Sequence, residues 1–469
     1  MWLQCIAVIL PRVKDSFSVS EYKIGLLSSS IFTGMMIGSL FWGLFSDKNG
    51  RKPAFNWTLA VAGVFGILAS LAPNFISLCI CLLFLGFGVG GNMPVDGALF
   101  LEFIPKESQY LLTFLSVFFS FGAAFTSFLA WVILPRYSCV NENLDNNDNS
   151  LLNCDMEKEN NGWRILLFTL GMFNLFMVIA RVVLFHLPES PKFLMSQNRA
   201  EEVVVVLRKI VHINGSRLSI NLKDIQNDNN LDYNTISPEI EESMLETKSN
   251  HSGDSDSVNI VENRSYFDKL IPLFSRKYFK TTILVWLIWT FTSFAYTMFN
   301  VFLPSYLDMK NGSDGTKFTL AEVYFSTFIY SLSGIPGSIL GSFLVETFLG
   351  RKGSMALSAF GSAFGLILFI FAKSSNLIVF SSSLISFLVT IMYAVIYAYT
   401  PEVFDTVVRG TACGTASALS RIAGIIAPLV TGGLISISLS LPNYISAIMF
   451  VFVGICMVLL PIETKGRVN

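Results

Sequence analysis

Long charge-free windows restrict this chain more than any other feature. An ionisable group is costly in a lipid interior, and a helix needs ~20 residues to cross that interior. Residues 24–46 carry no Asp, Glu, Lys or Arg, and neither do residues 53–95, a double-length window split by Pro73 and Asn74. Further windows cover 108–135, 163–186 (with Arg164 and Arg181 near its ends), 281–307, 323–345, 353–372, 374–400, 410–436 and 443–461. These make eleven full spans, and Arg421 is the only charge within the last three. Ahead of them residues 1–10 form an apolar run of about 15 Å at 1.5 Å per residue, ending at Pro11 and Arg12. It has neither the charged leader nor the small-residue cleavage site of a signal peptide. It reads as a first helix truncated at its start.

Composition agrees with lipid as the main solvent. Charged residues are 14% of the chain, against about 25% in a soluble domain. A net charge of −1 leaves no basic excess for a nucleic-acid partner. The seven cysteines include no CxxC pair and no Cys/His spacing of a zinc site, so no metal is expected. His186, His212 and His251 do not assemble with a nucleophile, and no cofactor motif is present, so the chain does not read as an enzyme.

Basic residues fix the orientation. Lys48, Arg51 and Lys52, Arg351 and Lys352, and Lys465 and Arg467 all fall in loops on one side, which is therefore cytosolic. On that topology residues 1–191 and 281–469 are two helical units, and 192–280 is a cytosolic connector. Residues 192–211 have the pattern of one or two amphipathic helices. Residues 221–257, rich in Asn, Asp and Ser, are expected to be disordered. The polar segment 137–161 lies on the opposite side with Cys139 and Cys154, which are read either as a disulfide or as two free thiols. Asn311 begins a glycosylation sequon on that side, whereas Asn214, Asn250 and Asn263 begin sequons in the cytosolic connector.

A repeat organises the whole. Gly43, Asp47, Gly50, Arg51 and Lys52 follow the second span, and Gly341, Glu346, Gly350, Arg351 and Lys352 follow the eighth. Matching motifs in matching positions of two halves are the mark of parallel transporter repeats. The chemistry of the motif is conformational. Glycine permits a tight turn, a carboxylate (Asp47, Glu346) pairs with cations or a helix N-terminus, and the basic pair holds the loop at an anionic lipid face.

At these residues the chain resembles the major facilitator superfamily. Pro188, Glu189, Ser190, Pro191 and Lys192, with Pro461, Glu463, Thr464, Lys465 and Gly466, resemble the sugar-porter signatures, as do Tyr399, Pro401, Glu402, Phe404, Arg409, Gly410 and Thr411. The run from Gly86 through Gly88, Gly90, Gly91, Asn92, Pro94 and Asp96 to Glu102 is most similar to the branch related to synaptic vesicle glycoprotein two. Two departures stand out. Leu82 occupies the place of a usual arginine, and the polar or acidic residues usual ahead of the stretch matching Met1 to Gln4 are absent.

The resemblance implies an all-α membrane protein of two pseudo-symmetric six-helix bundles. It implies a secondary transporter of a sugar, organic acid or organic ion, with protons as a potential second partner, in the plasma membrane or a vesicle or vacuole membrane. The alternative is a transport-inactive relative acting as a receptor or vesicle component. Glu189, Glu402 and Arg409, at cytosolic helix ends, are then latch residues, and Asp96 and Glu102 join Asp47, Arg51, Glu346 and Arg351 as gating candidates.

Arg421, about 18 Å along its helix, reads either as a counter-charge for an anionic solute or coupled carboxylate, or as half of a structural pair. Asn92 and Asp96 share one helix face. Asn92, Trp289, Tyr296, Asn300, Tyr393 and Tyr397 supply the aromatic faces and amides that suit a ring-bearing or polyhydroxyl solute. The plain alternative for these residues is packing.

Overall fold

Backbone amides cannot be left unpaired in lipid, so a chain with these windows must close its hydrogen bonds inside helices. A computed structural model describes residues 1–103, 114, 116–138, 160–183, 188–197, 199–215, 271–276, 278–310, 318–345, 347–404 and 406–464. Cys139, Cys154, Asn311, Glu346 and residues 221–257 lie outside the described residues, as do the side chains of Asp47 and Glu102. Every regular element among the described residues is helical.

The first half contains α1 (Trp2–Phe17), α2 (Glu21–Asn49), α3 (Arg51–Ser70), α4 (Phe75–Phe103), α5 (Ser116–Tyr137) and α6 (Gly162–Val183). Two short helices follow, α7 (Pro191–Ser196) and α8 (Ala200–Ile213). The second half contains α9 (Phe279–Asn300), α10 (Leu303–Lys310), α11 (Leu320–Leu344), α12 (Gly350–Phe371), α13 (Ser375–Val403), α14 (Thr406–Ile435) and α15 (Leu441–Val458). Eleven candidate membrane spans result, with α9 and α10 counted as one. Large apolar side chains such as Phe118 (64% exposed) and Ile448 (68% exposed) face outward from them, as lipid-facing surface must.

Two expectations need correction. The first helix does not end at Pro11 and Arg12 but runs on to Phe17. Arg12 is tolerated inside it because its guanidinium donates to Asp308 at 2.6 Å. At 16 residues α1 still falls below the span length of the others. The seventh window is not one helix: the chain breaks at Val301 and Phe302, before Pro304. Proline has no N–H to donate and is best accommodated in the first turn of a new helix, where Pro304 stands in α10. Broken helices of this kind occur in membranes only where protein or a cavity surrounds the freed backbone.

Helix ends are set by local chemistry. Asn74 and Ser77 cap each other at the start of α4, the Ser77 amide donating to Asn74 Oδ1 at 2.8 Å. Thr319 and Glu322 form a capping box at the start of α11. The 192–211 region forms α7 and α8 as its pattern suggests, with Ser190 capping α7 and Leu194, Val203 and Val206 buried together.

Packing within the first bundle relies on absent side chains. Gly34 and Gly38 on α2 face Gly86 and Gly90 on α4, and a Cβ on any of them would fall within 3.0 Å of the opposite backbone. Each pair is a Gly-xxx-Gly step, which lets two helices approach without a hydrophobic driving force.

The two bundles meet along α2 with α14 and α5 with α11. On the non-cytosolic side α2 and α14 are close: Gly25 lies against the Pro428 carbonyl, Gly432 against the Glu21 carbonyl, and Ser29 Oγ donates to Ile425 O at 2.7 Å. Gly43 lies about five turns further along the same face of α2 as Gly25, and Gly410 about five turns from Pro428 on α14. Yet among the described residues Gly43, Gly410 and Gly414 meet nothing within 4 Å. The two helices are therefore in close contact at the Gly25 end and show no such contact at the Gly43 end.

Candidate functional site

The midplane candidates cluster in the second bundle. Arg421 is the sixteenth of the thirty residues of α14, and its Nη1 reaches Met35 Sδ of α2 at 3.6 Å, across the bundle boundary. The charge of Arg421 acts on the hydroxyls of Tyr393 and Tyr397 from α13. Tyr393 meets Tyr296 of α9 edge-on at 5.5 Å and lies 6.3 Å from Tyr397, which packs edge-on against Trp289 at 4.8 Å. The i, i+4 spacing of Tyr393 and Tyr397 puts both rings on one face. Tyr330 of α11 adjoins Tyr296, with the two buried hydroxyls facing each other.

Burial divides these candidates. Trp289 is buried and its Nε1 donates to Thr400 Oγ1 at 2.9 Å, so its polar atom is already used. Tyr397, by contrast, stays 39% exposed. Asn300 ends α9 one turn beyond Tyr296 with a buried amide oxygen that has no partner. Buried polar atoms normally find one, so Asn300 leaves hydrogen-bonding capacity beside the rings among the described residues. Asn92 sits apart on α4 of the first bundle, and its buried amide oxygen is likewise without a partner.

A second group of candidates lies at the cytosolic helix ends. Gly50 has φ 104° and Gly350 φ 63°, both favouring glycine. Immediately after each, a carboxylate from a distant segment caps the new helix. Glu189 accepts from the Arg51 amide at 2.8 Å and the Lys52 amide at 3.2 Å, at the start of α3. Glu463 accepts from the Arg351 amide at 2.9 Å and the Lys352 amide at 3.1 Å, at the start of α12. An anion at a helix N-terminus meets unpaired N–H groups and the positive end of the dipole. The same device thus stands in both halves.

The side chains extend these clusters. Arg51 donates to Ser46 Oγ at 2.8 Å. Arg351 pairs with Glu402 at 3.0 Å, and Thr464 Oγ1 donates to Glu402 at 2.7 Å. Arg409 donates through Nε to the Phe404 carbonyl at 3.3 Å. Asp96 has Arg181 of α6 as its charged neighbour, and one of its carboxylate oxygens is buried without a hydrogen bond. Arg181 itself donates to the Phe55 carbonyl at 2.8 Å and stacks 3.2 Å over that ring.

Sequence reasoning quoted Glu463 within a motif but assigned it no role. The signal was its place opposite Glu189 in the repeat. It also missed Arg12 and Asp308, whose partnership spans nearly 300 residues and leaves no local trace. Among the described residues no group of His, Cys, Asp and Glu is arranged to hold a metal.

Comparison with known proteins agrees with this architecture. The Major Facilitator Superfamily model matches residues 2–345 and again 286–469. An uncharacterized MFS-type transporter of Schizosaccharomyces pombe is 35% identical over 100% of this chain and 83% of its own length. A synaptic vesicle 2-related protein of Bos taurus is 24% identical over 100% of this chain and 76% of its own. The partially occluded inward-open xylose transporter XylE from E. coli superimposes with TM-score 0.69 at 17% identity, covering 100% of this chain and 95% of that one. The chain belongs to the major facilitator superfamily, as a multi-pass integral membrane transporter related to the synaptic vesicle 2-related proteins.

Proposed function

We infer that this transporter carries a small organic acid by alternating access. In this reading 1–191 and 281–469 are the moving bodies, tied by the connector 192–280, and the solute is held between them at the midplane. The observation that carries it is a fixed positive charge, Arg421, halfway along α14 and bordered by Tyr393 and Tyr397. A guanidinium in a poorly hydrated site pairs with carboxylates in forked geometry. The tyrosine faces accept a ring or a flat apolar body. Asn300 supplies a buried amide oxygen nearby that has no hydrogen-bond partner among the described residues. A carboxylate gains a charge-assisted contact with the guanidinium that a neutral sugar lacks, and an organic cation would be repelled by it.

Uptake into vesicles reconstituted with the full chain tests this. Monocarboxylates, sugars and quaternary amines are offered with and without a pH gradient. Carboxylate uptake that is lost in Arg421→Ala and partly kept in Arg421→Lys is the expected result. Uptake of a neutral or cationic solute that survives Arg421→Ala overturns it. A pH gradient that changes the plateau of uptake, not merely its initial rate, identifies the proton as a second partner.

A further inference from the structure

At the non-cytosolic end of the boundary between the bundles lies a charged cluster that the midplane site does not use. Arg12 of α1 is 6% exposed, and Nη2 donates to Asp308 Oδ2 of α10 at 2.6 Å. Its other terminal nitrogen is 3.4 Å from Asp15 of its own helix. The backbone around it is fastened on both sides. Within the first bundle Asn160 donates through Nδ2 to the Arg12 carbonyl at 3.0 Å and to Ser16 Oγ at 2.9 Å. From the second bundle Tyr324 of α11, 1% exposed, donates its hydroxyl to the Val8 carbonyl at 3.3 Å. Lys14 and Glu21 pair at the turn between α1 and α2.

The placement differs from that of the cytosolic clusters. Glu189 with α3, and Arg351 with Glu402 and Glu463, each hold together helices of one bundle. Such contacts survive when whole bundles rock against one another. Arg12 with Asp308, and Tyr324 with Val8, join one bundle to the other. They can persist only while the non-cytosolic seam is shut, and opening that seam must break both.

The geometry points to Arg12, Asp308 and Tyr324 as a latch that closes the non-cytosolic gate and biases the carrier toward its inward-facing state. This rests on the transporter reading above and adds to it the residues that set its resting conformation. In the closed state the Arg12 side chain is withdrawn from water, 7% exposed, against an Asp308 side chain that stays 35% exposed. In the open state water reaches both. Losing Asp308 removes the attraction across the seam and leaves the buried Arg12 with its longer contact to Asp15, a cost felt in the closed state. Removing either partner therefore shifts the equilibrium toward outward-facing, and a ligand is not needed for the shift to occur.

The test follows exposure of two engineered thiols in the full chain within lipid vesicles, each measured above the background of the parent chain. Ser331→Cys is the outer reporter: it sits halfway along α11, 3% exposed with its hydroxyl 2.8 Å from that of Ser127 across the bundles, and a reagent from outside reaches it only when the seam above it opens. Gly414→Cys reports the cytosolic opening, because nothing lies within 4 Å of it. In Arg12→Asp and in Asp308→Arg, labelling of the outer reporter by an impermeant maleimide rises by about ten-fold, the size of a modest population shift. Labelling of the cytosolic reporter falls in the same variants. The double charge swap Arg12→Asp/Asp308→Arg restores both rates.

Loosened packing alone would raise labelling at both reporters and would not be reversed by the swap. Rates equal to those of the parent, parallel increases at both reporters, or a swap that labels like the single variants each overturn the latch. If a charge-reversed variant fails to fold, Asp308→Asn, which keeps shape and removes charge, is read by the same two reporters. Because labelling needs no solute, a latch that behaves as expected in a protein that takes up nothing would overturn the transport reading alone.

Discussion

A carboxylate that accepts two backbone amides at a helix start does more for a membrane protein than a surface ion pair, because it fixes where one span ends and the next begins. Glu189 and Glu463 each do this, for α3 and α12. Hydrogen bonds to a charged acceptor contribute about 1.5–3 kcal/mol; Glu189 is only half-buried and Glu463 is exposed, so the lower end is the most either contributes. Glu463→Gln should therefore lower the thermal unfolding midpoint in detergent by a few degrees, and Glu463→Ala by more. Glu189→Gln should show a shift of similar size, since the cap is the same. A glutamine substitution with no effect on the midpoint at either site would mean that the caps are decoration. Both glutamates stood in the sequence within recognisable motifs, but only their position, not their acceptor role, was legible. The role depends on amides 138 and 112 residues away.

Element boundaries were largely written in charge and turn chemistry. The spans from α2 onward begin and end within a few residues of the charge-free windows. Pro73 and Asn74 separated α3 from α4 as a turn signal should. The break between α9 and α10 was hidden because hydropathy reads transfer into lipid and is blind to backbone hydrogen bonding. The visible cue was Pro304, four residues beyond Asn300. The end of α1 was hidden for a different reason. Arg12 looked like a boundary on its own, and its partner Asp308 belongs to a distant segment.

The glycine run on α4 was legible as a family resemblance but not as packing. In the structure it is a seam, with Gly34 and Gly38 against Gly86 and Gly90. A methyl group there meets backbone, which cannot give way as a side chain can. Gly90→Ala and Gly34→Ala are thus expected to cut the yield of folded protein severely, as read by size-exclusion profile. Gly410→Ala and Gly414→Ala, which add a methyl in open space on a helix, should be neutral or slightly stabilising. Equal loss in both sets would show that the seam is not where the close approach occurs.

The shape of the whole molecule follows from how α2 and α14 run beside each other. Their contact stripe is antiparallel, passing from Gly25 at Pro428, through Ser29 at Ile425 and Phe32 at Gly424, to Met35 at Arg421. Helical periodicity continues both stripes in register, so Gly43 on α2 projects toward Gly410 on α14. In this structure the pair is not joined, since neither glycine meets anything within 4 Å among the described residues. Rocking the bundles to close the cytosolic side would restore that last stretch of the stripe while parting Arg12 from Asp308. The two ends of the seam are then opposite arms of one balance. A disulfide needs Cα atoms within about 7 Å, so Gly43→Cys/Gly410→Cys should cross-link only in the state this structure does not adopt. Oxidation of the double variant in vesicles, read by mass spectrometry of linked peptides, should give slow cross-linking that accelerates when Arg12→Asp is added. The linked protein should no longer expose its cytosolic cavity to impermeant thiol reagents, and reduction should reopen it. Cross-linking that is rapid in the unaltered background, or indifferent to Arg12, would mean that the cytosolic ends of α2 and α14 are not governed by the outer seam.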